Sequence, residues 1–377
     1  MKRLIAIFLI IISYSAAHSQ TGEEETVRIM KYIYSCNFDS SKILIDRYIS
    51  SKSNPPQSNF LDVLSGWWKI NIDRKNEKLD EDFNEKVNRT LDICDAILDK
   101  NPDDFNALFY KGGALGYRGL LKSLRESWLS AADDGKQALN LMDRALEINP
   151  NNKEALLGIG IYNYFAEYVP FRYPFLKPLL IIFPKGDKVK GLAQIKEAAQ
   201  NSKIATYEAH YIIAYLNIVY ERNFYEGETY SSYLFNLFPS NSVFERLLYS
   251  CYVGQGRFQN ALDGWTGVRN KNKSNTTGYN IDAVLREADY YITLCLLKTG
   301  NIDKSDEYID ELFKLNEKLD KDETSFKAFS YLMLGMKYDA AGDRNKALEN
   351  YNKVLEMKEF SNSHKDAEKY IKEAYRK

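Results

Sequence analysis

Histidine is almost missing from this chain of 377 residues: only His18, His210 and His364 occur. A metal centre needs three or four ligands. No His-Glu-x-x-His run and no spaced set of cysteine and histidine exists to supply them. Cysteine is scarce as well, with Cys36, Cys94, Cys251 and Cys295 present and no Cys-x-x-Cys pair. The Gly-x-Ser-x-Gly elbow is absent, which leaves a serine hydrolase without support. The run Gly112-Gly113-Ala114-Leu115-Gly116 lacks the Lys-Ser/Thr of a phosphate-binding loop and sits within helical periodicity. Neither sign of charge dominates: 51 Lys and Arg stand against 52 Asp and Glu, for a net charge of −1. That balance gives no basic footprint for nucleic acid. Together these absences point to a chain that is not an enzyme and holds neither cofactor nor metal.

What is there begins with an export signal. Lys2 and Arg3 precede the apolar run Leu4–Ile12, and the small residues Ala16, Ala17 and Ser19 follow. Residues 1–19 read as a secretory signal peptide with cleavage after Ser19. The apolar run is shorter than the roughly 20 residues of a bilayer span. Gln20, not cysteine, follows the cut, so no lipoprotein anchor is expected. The mature chain, 20–377, is expected outside the cytoplasm: periplasmic or envelope-associated in a bacterial host, secreted otherwise.

Self-similarity then sets the fold. Four glycines are each followed five residues later by a small residue that opens a helical pattern: Gly186/Gly191, Gly256/Ala261, Gly300/Ser305 and Gly342/Ala347. The clearest copy runs Tyr331, Leu334, Gly335, Tyr338, then the turn Gly342-Asp343, then Ala347, Tyr351 and Val354. A second runs Ala138, Met142, Ala145 and Pro150, followed by Leu156, Ile159 and Gly160. Helices approach within about 8–10 Å when the residue at the crossing is small; Gly335 and Ala347 are expected there. On these motifs the chain resembles the tetratricopeptide repeat (TPR) family. The resemblance implies an all-α fold, an α-solenoid of antiparallel helix hairpins in a TPR-like right-handed superhelix, with about six or seven repeats. The cysteine spacing fits. Cys251 and Cys295 each lie five residues before a turn glycine, at equivalent places on successive first helices, too far apart for a disulfide's Cα separation of about 7 Å.

Departures from regularity divide the array. An enlarged hairpin is expected over 103–150, an apolar proline-rich insertion over 165–186, a polar linker over 270–280 and a capping helix over 365–377. The insertion holds Pro170, Pro174, Pro178 and Pro184 among Phe171, Tyr173, Phe175 and Leu179–Phe183. It has three readings: a plug for the inner face, the lining of a groove, or a segment that meets a membrane interface with Arg172, Lys177 and Lys185 as flanking cations.

Two sets of residues are candidates for binding. Arg118, Arg125 and Trp128 lie at spacings of seven and three, near one helical face. They read either as an anchor for a carboxylate, which arginine grips with two hydrogen bonds, or as an ion-pair network with the acids beside them. By the TPR resemblance, first helices line a groove that receives peptides, and Tyr162, Tyr164, Tyr207, His210, Asn217 and Arg246 are its candidate residues. Arg172 joins them from the insertion. The expected partner is a protein or peptide, with peripheral membrane contact through 165–186 as the alternative and no nucleic acid.

Overall fold

The computed structural model describes residues 23–181 and 183–376. The proposed signal segment lies outside them. Every regular element among the described residues is helical. The chain divides into two compact units, residues 23–213 with Asn236–Asn241, and Ala214–Phe235 with Ser242 onward.

The first unit stacks four hairpins: α1 (23–34) with α2 (Phe38–Ser51), α3 (Pro55–Ile72) with α4 (Asp80–Leu98), α5 (Phe105–Leu124) with α6 (Trp128–Ile148), and α7 (Ala155–Arg172) with α9 (Lys188–Asn201). The one-turn α8 (Lys177–Leu180) lies between the last two. Then comes α10 (Thr206–Tyr215), whose first eight residues belong to this unit. The second unit has a π-helical turn, Leu216–Glu221, then α11 (Phe224–Leu237) up to Phe235. Three hairpins follow: α12 (Ser242–Gly254) with α13 (Phe258–Lys273), α14 (Asp282–Thr299) with α15 (Asp306–Leu319), and α16 (Ser325–Ala340) with α17 (Arg344–Glu356). The last helix is α18 (Ser363–Lys372). The expected long hairpin 103–150 is α5 and α6, of 20 and 21 residues.

One device makes most of the turns. After α12, the N–H of Gly256 bonds the carbonyl of Val253 and that of Arg257 bonds Tyr252. The same pair of bonds recurs at Gly300/Asn301 and Gly342/Asp343. This cap needs a left-handed residue, and the three glycines have φ of 75°, 75° and 83°. Cys36 and Glu126 make the same two bonds at φ of 59° and 58°. Gly186 plays a different part. A Cβ there would lie 2.2 Å from the Asn163 carbonyl oxygen, so the residue is small to let the chain pass α7 closely.

Small residues set the hairpin crossings. A Cβ at Gly160 would lie 2.8 Å from the Gly191 carbonyl oxygen, and one at Gly191 2.6 Å from that of Gly160. The backbones of α7 and α9 thus touch through two glycines. At the C-terminal crossing the ring of Tyr351, rather than Ala347, covers Gly335, with 2.4 Å between ring and ideal Cβ. Ala347 is fully buried beside it among Leu312, Met333, Met336 and Val354. Separate apolar clusters form between successive layers, one around Phe109, Tyr110, Met142 and Ile159, another around Trp265, Val284, Ala288 and Ile292. All four cysteines are buried and none forms a disulfide.

Two boundaries shift. The polar linker expected over 270–280 is helical through Lys273 as the end of α13. Its remainder is pinned: the Asn272 amide donates to the carbonyls of Tyr279 and Ile281 at 2.6 and 3.0 Å. The Tyr279 ring is buried, its hydroxyl on the carboxylate of Glu245, which also holds Lys271 at 2.8 Å. The capping helix expected over 365–377 runs Ser363–Lys372. Beyond it, Tyr375 returns to the core and donates to the Leu297 carbonyl at 3.1 Å.

Candidate functional site

In the first unit, first helices that are far apart in sequence meet side by side. Glu208 lies on α10 in a stripe with Ala205, Ala209 and Ile212, all buried. Its Oε2 accepts from the Tyr34 hydroxyl of α1 at 2.9 Å and from Trp68 Nε1 of α3 at 3.1 Å. The hydroxyl of Tyr117, on α5, acts on the same carboxyl, and Oε1 is left without a hydrogen bond of good geometry. The groups around this carboxyl are neutral donors rather than a cation. Burial therefore outweighs the lowering pull of Tyr34, Trp68 and Tyr117, and the pKa rises from 4.5 to about 7. Burial and the nearby carboxyl in turn push the hydroxyls of Tyr34 and Tyr117 well above their usual range.

One turn further along the same two helices, Tyr211 follows Glu208 and Asn71 follows Trp68. The Tyr211 hydroxyl donates to Asn71 Oδ1 at 3.1 Å. Arg74 reaches both, with Nη2 at 2.6 Å from Asn71 Oδ1 and 2.8 Å from the Tyr211 hydroxyl. The rings of Trp68 and Tyr211 meet edge to face at 5.1 Å. The loop 236–241 closes over the other end: Asn241 donates to the Tyr34 carbonyl at 2.8 Å and Ser240 to the Ser35 carbonyl at 2.7 Å. The first hairpin of this unit thus contacts its last helix. A strict nearest-neighbour array would leave this face open; here it is filled by its own aromatic rings.

The sequence candidates separate accordingly. Tyr207 meets Tyr34 and Phe238 edge to face at 5.5 and 5.0 Å, part of the fill rather than of an open groove. His210, two residues from Glu208, points elsewhere: its Nδ1 lies 2.8 Å from the Thr206 carbonyl, and burial lowers its pKa. Tyr164 is a core residue, fully buried, with its backbone against Gly191 and its ring stacked on Tyr168. Tyr162 donates to the Pro184 carbonyl at 3.0 Å, tying α7 to the returning chain. Asn217 and Arg246 are in the other unit. Asn217 is buried in the π-helical turn, its carbonyl accepting from Asn223. Arg246 pairs with Glu287 and donates to the Ser242 carbonyl at 3.1 Å.

Arg118, Arg125 and Trp128 do not share a helix face. The chain reverses at Glu126, so Arg118 and Arg125 end α5 while Trp128 starts α6. Arg118 grips the buried Asp134 with two bonds of 2.9 and 2.7 Å, and Lys122 joins at 2.7 Å. Arg125 grips Asp80 at 2.7 and 2.8 Å and donates to the Arg74 carbonyl. Both guanidinia are engaged by internal carboxylates, which occupies the geometry a ligand carboxylate would use. Trp128 lies against Tyr173 at 6.0 Å, and Arg172 stands exposed beside that ring. Asn71 and Arg74 escaped the sequence reading, and Glu208 and Trp68 were not among its candidate site residues. The available signal was polar residues on otherwise apolar helix stripes.

Among the described residues no group of three or more His, Cys, Asp and Glu is placed to hold a metal. No described helix is long and apolar enough to cross a membrane. No family model and no curated protein matches the chain. Among solved structures it is similar to a Rap protein complexed with Competence and Sporulation Factor, with TM-score 0.49 and 13% identity over 92% of this chain and 91% of that one. Aspartyl phosphate phosphatase F from Bacillus subtilis follows with TM-score 0.42, 13% identity and 89% and 83% coverage. Yeast Tom70 gives TM-score 0.40 and 15% identity over 85% of this chain and 64% of that one. At TM-scores below 0.5 these likenesses assign neither function nor residues.

Proposed function

We propose that this chain is an exported scaffold that catalyses nothing and binds a protein or peptide through the surfaces of its helix hairpins. The observation that supports it is how the ionisable groups are used. Glu208, Asp134, Arg118, Arg125, Glu245 and Arg246 bind each other, tyrosines or the backbone of neighbouring helices. They hold hairpins together rather than converging on a cavity. Crosslinking followed by affinity capture from the exported fraction tests the reading. It expects one reproducible partner, crosslinked to first-helix residues; an empty capture under mild crosslinking counts against it.

A second reading, peripheral attachment to a membrane through 165–186, is favoured by one observation: Phe171 and Ile181 are 78% and 82% exposed. Single exposed apolar residues are common, but several clustered together mark an interaction surface. Replacing both by serine should move the protein into the soluble fraction of broken cells; an unchanged distribution removes the idea.

A further inference from the structure

Four exposed apolar residues of the first unit lie at one end of its hairpins, while Ile43, Ile148 and Leu237 are exposed elsewhere. Successive helices run antiparallel, so the start of α6, the end of α7, α8 and the start of α9 lie together. Trp128 and Tyr173 touch across the first two, and Lys188 N–H bonds Glu167 Oε2 at 2.7 Å across α7 and α9. From this end project Leu129, Phe171, Ile181 and Val189, between 52% and 82% exposed. Cations are interleaved with them. Residues 171–190 carry Arg172, Lys177, Lys185, Lys188 and Lys190 against the single acid Asp187, in a chain whose net charge is −1. Asp187 is occupied in capping α9, its side chain accepting from the Lys190 N–H at 2.8 Å.

We infer that this end of the first unit docks on an anionic lipid surface, Phe171, Ile181 and Val189 entering the headgroup layer while the surrounding cations meet lipid phosphates. The inference rests on the membrane reading above and adds the lipid charge and the participation of α9. Three observations favour lipid over a protein partner. The apolar side chains project from separate helix ends instead of lining a groove. The charge of the stretch is predominantly positive, five cations against Asp187. Long basic side chains also reach phosphates while their stems lie along apolar surface.

Vesicle flotation of the purified chain tests it, using zwitterionic phosphatidylcholine alone and with phosphatidylglycerol added. Flotation is expected with the mixed vesicles only, falling as salt rises. Lys177→Ser, Lys185→Ser and Lys190→Ser together should weaken it by about tenfold or more. Phe171→Ser with Ile181→Ser should weaken it similarly, with the far-ultraviolet dichroism of both variants unchanged. Equal flotation on both vesicle types would overturn the lipid-charge inference and leave membrane attachment standing. No flotation on either would sink both. Flotation indifferent to the substitutions would place the contact elsewhere on the chain and overturn the patch.

Discussion

At the scale of single residues, Glu208 is one buried carboxyl that makes stability respond to pH, as Asp289, raised to about 6, is in the second unit. The folded pKa of Glu208, about 7, lies above the unfolded value of 4.5. A raised folded value means that the folded state holds the proton more tightly. The stabilisation is complete below pH 4.5 and lost as pH rises through 7. The full difference amounts to about 3 kcal/mol. Glu208→Gln keeps an acceptor for Tyr34 and Trp68 and removes the ionisation. Denaturant titrations at pH 5 and pH 8 should therefore show the wild type weaker at the higher pH and the variant flatter; parallel profiles would sink the assignment. Glu126 offers a second test. It is held at φ 58° in a cap where glycine carries no steric cost. Glu126→Gly should stabilise by about 0.5–1 kcal/mol, read as a higher denaturant midpoint with the same slope.

At the scale of elements, the sequence showed hairpins where the turn residue is glycine and missed the turn at Glu126. Gly256, Gly300 and Gly342 announce their reversals, whereas Glu126 makes the identical cap with an ordinary side chain. Arg118, Arg125 and Trp128 therefore looked like one face of one helix. The crossings were legible for a similar reason, since a glycine in an aromatic and aliphatic stripe has little purpose except proximity. Gly160→Ala should destabilise by about 1–3 kcal/mol because backbone on α9 stands in the way; an unchanged thermal midpoint would contradict the register of α7 on α9. The segment after α13 was illegible because its order comes from the Asn272 amide and from the Tyr279 hydroxyl on Glu245, a contact distant in sequence. Asn272→Ala leaves the Tyr279 and Ile281 carbonyls without their donor and should cost about 1–3 kcal/mol. Hydrogen exchange should quicken in residues 274–281 first.

At the scale of the whole molecule, the candidate site was the least legible part. Spacing within a helix says which side chains share a face, but not that α1 and α10, some 174 residues apart at Tyr34 and Glu208, will face each other. The tyrosines expected to greet a ligand pack instead on their own chain. The sulfurs carry a further consequence. Burial drives the thiols of Cys94, Cys251 and Cys295 up to about 12, so at neutral pH they are neither reachable nor nucleophilic. An alkylating reagent can capture each one only while its own stretch of helix is ajar. With the buried Cys36, these atoms are thus native stopwatches, two in each unit. Cys36 lies just beyond the helix that carries Tyr34, so its labelling, corrected for the intrinsic rise of thiolate with pH, should quicken more above pH 7 in the wild type than in Glu208→Gln. The same concealment keeps each thiol from an oxidant while its helix stays closed.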